Sequence, residues 1–178
     1  MAIEIVYETH SITEDNEAGR ATGWLPGRLS AAGRRLAGEL GQRRRDDAIA
    51  AVFSSDLRRA VDTAEIAFAG TAVPMLLDWR LRECDYGSLN GMPAARVHGR
   101  NRLEYLDVPY PGGESWRQAV ERVRRFTDDV PLRWSGKRVL VIGHVATRWG
   151  LDHIINGVPL EELAGREFQW QEGWLYKI

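Results

Sequence analysis

A three-layer α/β sandwich, with helices on both faces of a mostly parallel central sheet, is the architecture this 178-residue sequence predicts. Three observations carry the prediction. Short β-prone runs alternate with stretches whose apolar residues recur at helical spacing. The run Arg138 to Ile142, RVLVI, is apolar throughout after its first residue, as in a strand covered on both faces. Three of the strand-like runs stop abruptly at polar, reactive residues, where the strand ends of α/β proteins meet a ligand crevice.

The elements follow in order. Ile3, Ile5 and Tyr7, with Val6 between them, form a first strand that stops at Glu8, Thr9 and His10. Glu14 to Arg28, rich in Gly, Asp, Asn and Pro, reads as a long loop over the strand ends, and a loop of that length in a compact domain is usually functional. Ser30 suits the N-cap of a helix reaching Arg44, with Leu36 and Leu40 on one face. Arg43, Arg44 and Arg45 read as its solvated, dipole-favoured end rather than an anion site. Ala51 to Phe53 is a second strand, ending in Ser54, Ser55 and Asp56. Leu57, Ala60, Val61, Ala64 and Phe68 then mark a helix.

Val73 to Leu77 reads as a third strand. Arg82 to Pro93, RECDYGSLNGMP, carries two glycines and a proline and reads as a loop lining a site. After the punctuation of Pro109 to Gly113, Glu114 or Ser115 opens a helix with Trp116, Ala119, Val120, Val123 and Phe126 on its core face. RVLVI runs into Gly143 and His144, ahead of a helix from about Ala146 to Asn156. Glu167 to Tyr176, with Phe168, Trp170 and Trp174 alternating, reads as a last strand; Trp116, Trp149 and Trp170 fit core positions, and Trp24 is the tryptophan suited to stacking on a substrate.

Bulk properties narrow the function classes. Residues 1–178 read as a single domain able to close its own core. A composition that is 44% hydrophobic and 28% charged is globular, and a net charge of -1 supplies no field to recruit nucleic acid or anionic lipid. Neither nucleic acid nor membrane is an expected partner, since no apolar run approaches spanning length. The opening has no leader-like pattern and Cys84 is the only cysteine, which together suit a reducing cytoplasm. Oligomeric state is open, a homodimer included.

If the strands ending at His10, at Ser54/Ser55 and at His144 are neighbours, two histidines, the Arg58/Arg59 pair and the loop acid Glu83 share one pocket. That set suits phosphoryl transfer through a covalent histidine, with cations on the phosphoryl oxygens and a carboxyl group for the leaving-group proton. No metal site and no cofactor are expected, because apart from His10 and His144 nothing resembles ligand spacing. His98, in the basic stretch HGRNR, reads as exposed, and His153 as a hydrogen-bonded packing residue on an apolar helix.

The local spelling resembles the histidine phosphatase superfamily, the phosphoglycerate mutase-like fold, over nearly the whole chain. Asn16 to Gly33, NEAGRATGWLPGRLSAAG, resembles N-x-x-x-R-x-x-G-W followed by L-S-x-x-G. Ser54 to Glu65, SSDLRRAVDTAE, matches S-x-L-x-R-A-x-x-T-A-E, and Leu81 to Gly91 resembles L-x-E-x-x-x-G-x-x-x-G. YPGGES at Tyr110 and VLVIGH ending at His144 complete the resemblance. It implies His10 as the nucleophile, Arg59 as the phosphoryl clamp, His144 as a stabiliser of the transferring oxygens and Glu83 as acid and base. It also implies a small phosphorylated substrate contacted by Asn16, Thr22 and Gly23.

The first motif departs from the pattern. Where the family has Arg-His-Gly, this chain has Thr9-His10-Ser11, preceded by Glu8 and followed by Ile12, and Val145 replaces the glycine common after the second histidine. Glu8 and Thr9 therefore join the expected substrate-binding set as residues that reshape the site. Arg20, Arg82 and Arg148 are the candidates to replace the lost cation. The expected activity is a cofactor-independent phosphatase rather than a mutase, since little sequence lies between Gly91 and Pro109 to form a lid. Two alternatives stand beside it. One is a repurposed enzyme in which Glu8 belongs to the catalytic set; the other is a non-catalytic ligand-binding homologue.

Overall fold

The computed structural model describes residues 2–98 and 101–178. Its strands are β1 (Glu4–Thr9), β2 (Ala51–Ser54), β3 (Met75–Leu77), β4 (Arg138–Gly143) and β5 (Trp174–Lys177). The helices are α1 (Glu14–Glu17), α2 (Ala31–Arg44), α3 (Arg58–Ala67), α4 (Ala94–Val97), α5 (Asn101–Glu104), α6 (Trp116–Trp134), α7 (Val145–Asn156) and α8 (Leu160–Gly165). The sheet order is β3-β2-β4-β1-β5, parallel except for β5, which runs antiparallel along β1. The fold is the expected α/β sandwich.

Side-chain alternation in the central strands sorts the two apolar layers. Val6, Leu140 and Ile142 pack with Leu40 of α2 and with Ala60 and Ala64 of α3. Ile5, Tyr7, Val139 and Val141 pack on the opposite face with Val123 and Phe126 of α6 and Leu151 of α7. Every residue of β4 after Arg138 is buried, so the unalternating VLVIG run reflects cover from both sides. The caps stand where the sequence places them: Ser30 Oγ accepts from the Gly33 N–H, and Ser115 forms a capping box with Gln118.

Three expectations are corrected. The last strand is only Trp174–Lys177; Phe168 and Trp170 precede it in a stretch without regular structure, and Trp170 is 60% exposed rather than core. The long loop after β1 contains one helical turn, α1, with a Thr13–Asn16 capping box. Arg43 and Arg44 are not a solvated helix end. Both donate to the carboxylate of Glu8, which is 1% exposed: Arg43 Nη2 at 3.1 and 3.3 Å, Arg44 Nε and Nη2 at 2.8 and 2.7 Å. Burying a lone carboxylate at a strand end would be prohibitive, and two guanidinium groups resolve the problem. Arg44 Nη2 also donates to the Glu172 carbonyl at 2.8 Å. This ties the stretch after α8 to the end of β1. Gly173, at φ +83, lets its backbone pass there: a Cβ would meet Arg44 Nη2 at 2.1 Å.

Among the described residues, no helix is long and apolar enough to cross a membrane.

Removing Glu8 takes the closest carboxylate from two partly buried cations, leaving Arg44 with Asp47 and Arg43 with Glu172 at 4.0 Å. Glu8→Ala is expected to lower unfolding free energy by about 3 kcal/mol in urea denaturation. Glu39→Ala on the exposed side of α2 is expected to change it by less than about 0.5 kcal/mol. Equal effects would show that the triad adds nothing.

Candidate active site

β1 and β4 pair in register, Thr9 against Gly143, and the His10 N–H extends the ladder to the Gly143 carbonyl at 3.0 Å. The two strands therefore deliver His10 and His144 side by side, ring centroids 4.9 Å apart. β2, paired to β4 from the other side, runs through Ser54 and Ser55 into α3 and brings up Arg59.

Arg59 is 2% exposed, and its guanidinium organises the site. Nη1 donates to the Leu25 carbonyl at 2.9 Å and Nη2 to the Gly23 carbonyl at 2.8 Å. Nη2 also reaches His144 Nδ1 at 3.2 Å, and Nε reaches His10 Nε2 at 3.4 Å. A guanidinium can only donate, so both facing ring nitrogens must present lone pairs. The proton of neutral His10 then sits on Nδ1, where it donates to the Ser11 carbonyl at 2.8 Å. That of His144 sits on Nε2, a buried atom with no hydrogen-bond partner. Burial, and then the adjacent Arg59 charge, hold the His10 pKa down to about 3 and that of His144 well below the imidazole range. Burial likewise pulls the Arg59 pKa down, while Glu83 offsets part of that cost.

Glu83 projects from the loop after β3. Its Oε1 accepts from the N–H groups of Cys84 at 2.9 Å and of Ala146, in the first turn of α7, at 3.1 Å. Burial nevertheless raises its pKa above the ordinary carboxylate value, which favours a protonated, proton-donating form. The Glu83 backbone carbonyl accepts from Trp24 Nε1 at 2.7 Å and from Arg122 Nη2 at 3.2 Å. Trp24 is thus a strut under the acid, and it does not line the cavity.

The loop after β1 supplies the remaining expected residues. Gly23, at φ +56, turns its carbonyl to Arg59; a Cβ there would lie 1.8 Å from Asn90 Oδ1. Thr22 Oγ1 donates to Asp15 Oδ2 at 2.9 Å. Asn16 Oδ1 accepts from the Thr13 N–H, which leaves its amide nitrogen for a ligand. Thr9 and Glu8 both line the cavity, yet Glu8 is engaged by Arg43 and Arg44 rather than by His10.

Of the candidate replacement cations, Arg82 forms two 2.7 Å bonds with Asp56 and lies over the Trp24 ring. Arg148 is held by the Tyr176 hydroxyl and Asp152. Only Arg20 of the three lines the cavity; it is exposed and donates to the Gly91 carbonyl. His98 is half-buried rather than exposed. It lines the cavity edge-on to Tyr86, and burial, with Arg102 nearby, lowers its pKa to about 4. Residues 99 and 100 of the same HGRNR stretch lie outside the described residues. His153 Nδ1 lies 2.8 Å from the Val158 carbonyl, in the packing role expected.

Two positioning residues were not singled out from the sequence. Asn90 Oδ1 accepts from the N–H groups of Tyr86 and Trp24, while Nδ2 donates to Asp85. Arg122 clamps Glu114 with two bonds and holds the carbonyls of Arg80 and Glu83. The Asn90-Gly91 pair was a visible signal. A lone arginine on the buried face of α6 gave none. Among the described residues, no group of three or more His, Cys, Asp or Glu side chains could hold a metal ion.

Comparison with known proteins identifies the family and the fold. The model of the histidine phosphatase superfamily (branch 1) matches residues 9–175. The "Bifunctional protein Rv2228c" of Mycobacterium tuberculosis is 35% identical over 143 residues, covering 76% of this chain and 39% of that protein. The chain therefore spans well under half the length of that relative. A 2,3-bisphosphoglycerate-dependent phosphoglycerate mutase of Neisseria meningitidis is 27% identical, covering 99% of this chain and 95% of its own. The structure of mycobacterial glucosyl-3-phosphoglycerate phosphatase Rv2419c superposes with a TM-score of 0.79 at 25% identity, covering 92% of this chain and 84% of that one.

The depressed imidazole pKa carries a stability consequence. Between the ordinary value of 6.5 and about 3, the unfolded chain binds a proton at residue 10 that the folded protein refuses. Stability attributable to this ring is therefore undiminished above pH 6.5 and falls as pH drops through that window. From pH 7.5 to 5 the loss from His10 is expected to be about 1–2 kcal/mol. His10→Gln should flatten the curve by that amount in urea titrations at the two pH values. An unchanged slope would contradict the neutral ring.

Proposed function

Because this chain belongs to the histidine phosphatase superfamily, branch 1, we propose that it hydrolyses a phosphate monoester of a small metabolite through a phosphohistidine at His10. The observation that carries this reading is the proton arrangement around Arg59. His10 is neutral, its Nδ1–H is anchored to the Ser11 carbonyl, and its Nε2 lone pair faces the buried guanidinium that would hold the phosphoryl oxygens. The 3.4 Å Arg59–His10 contact is the longest of the four that Arg59 makes, and it is the one an incoming phosphorus would displace.

His10 Nε2 attacks phosphorus, the P–O bond to the alcohol breaks, and the Glu83 carboxyl passes its proton to the departing oxygen. Water then attacks the phosphohistidine, the Glu83 carboxylate takes a proton from that water, and the P–N bond breaks. Arg59 and the unpartnered Nε2–H of His144 bind the oxygens on which charge accumulates. The Asn16 amide and Thr22 complete the contacts from the loop. Thr9 offers a neutral hydroxyl where the family resemblance has an arginine, a loss of the kind that costs roughly 3–4 kcal/mol of transition-state stabilisation. A modest turnover number is the consequence. Hydrolysis rather than mutase transfer fits the short span between Gly91 and Pro109; the similar proteins include both a phosphatase and a mutase.

The repurposed reading draws support from the missing arginine but loses it at Glu8. A carboxylate held by four guanidinium bonds is not available to act on a substrate at His10.

Hydrolysis of para-nitrophenyl phosphate is the test. His10→Ala should abolish it, and Glu83→Gln should lower kcat by about 10²–10⁴-fold with little change in KM for this ester. An absence of turnover across a broad panel of phosphate esters would overturn the proposal.

A further inference from the structure

The cavity at His10 encloses about 610 Å³, the scale of a pocket for a whole drug-sized ligand and far more than a phosphoryl group needs. Away from the histidines its lining comes from Leu36 and Leu40 of α2 and from Phe168 and Trp170 of the stretch before β5, with Ile12 beside His10. Ile12 is 41% and Trp170 60% exposed, so large apolar surfaces face an open groove that continues from the reacting centre. The wall that carries Phe168 and Trp170 is fastened from below: Arg44 bridges the Glu172 carbonyl to the Glu8 carboxylate.

We infer that the alcohol portion of the substrate is an extended, largely apolar and non-anionic group seated in this groove. The inference rests on His10 as the phosphoryl acceptor. Charge supports it. Glu39 and Glu172 line the groove; of the cations that line it with them, Arg43 is already bound to Glu8 and Arg20 donates to the Gly91 carbonyl. A carboxylate or second phosphate on the alcohol would meet these two acids, with Arg20 as the lining cation left to offset them. The departures in the first motif fit the same account. Where the resemblance has an arginine before the nucleophile, this chain has the shorter Thr9, and the apolar Ile12 follows two residues after His10, both lining the cavity. Ser11 and Val145, each larger than the glycine of the family pattern, line the cavity too, so the replacements exchange charge for neutral and apolar surface along the passage from His10 into the groove, and the altered motif is a change of specificity as well as a weakening of the phosphoryl clamp.

The test compares kcat/KM for n-hexyl phosphate, ethyl phosphate and 3-phosphoglycerate. The two alkyl esters have leaving groups of similar basicity and differ in the length that would enter the groove. The expected order is hexyl over ethyl by at least about tenfold, with 3-phosphoglycerate the poorest. Trp170→Ala, a change at an exposed position, should cut the hexyl-to-ethyl ratio by about tenfold, mainly through KM for hexyl phosphate. Thr9→Arg should cut the ratio too, by refilling the passage. Equal rates for the two alkyl esters, a ratio untouched by Trp170→Ala, or a preference for 3-phosphoglycerate would overturn the inference while leaving the phosphatase reading intact. Failure to hydrolyse any ester, para-nitrophenyl phosphate included, would instead refute the phosphatase reading itself.

Discussion

A buried guanidinium is the constraint on which the rest of this site depends. Arg59 sits at 2% exposure, where a charge without partners would be intolerable. The chain satisfies it with two backbone carbonyls from the loop after β1 and two imidazole nitrogens from the ends of β1 and β4. Each partner is fixed in return. The carbonyls fold the loop down over the strand ends, and the imidazoles are forced into opposite tautomers, one presenting a nucleophilic lone pair and the other a buried N–H. Glu83, raised by burial yet held by two backbone N–H groups, completes the set that the proposed phosphoryl transfer would use.

A second charge cluster lies beneath the first and does different work. Glu8 pairs with Arg43 and Arg44 at the end of β1, Arg44 pairs with Asp47 as well, and the cluster anchors the stretch before β5. Their mutual pairing keeps Glu8 out of the chemistry at His10 and sets the position of the groove wall. On the proposed mechanism the unusual first motif divides into parts with separate physical roles: Glu8 structural, Thr9 and Ile12 spatial, His10 chemical.

Much of this was legible in the sequence because it rests on local rules. Short β-prone runs located β1, β2 and β4, helical spacing located the long helices, and Ser30 and Ser115 announced their helices through capping chemistry. Polar residues at strand ends in a parallel sheet pointed to a shared pocket for His10, the Arg58/Arg59 pair and His144, while the choice of Arg59 and the role of Glu83 came from the family resemblance. The misreadings came where distant partners decide. Phe168 and Trp170 alternate like a strand, but only Trp174–Lys177 reaches the free edge of β1. Arg43 and Arg44 looked solvated because Glu8, 35 and 36 residues away, leaves no local trace on α2. The tautomers were beyond reach for the same reason, since they are set by four donor contacts that exist only once the loop closes on Arg59.

The central claim is that phosphorus becomes bonded to His10 Nε2. Mixing the enzyme with an aryl phosphate, quenching in alkali to preserve phosphohistidine, and mapping the modified peptide by mass spectrometry tests it most directly. The account predicts a phosphoryl group on the peptide containing His10, with 31P NMR of the denatured protein assigning it to Nε2. Turnover with no phosphorylated protein, or with the phosphoryl group on another residue, would contradict it.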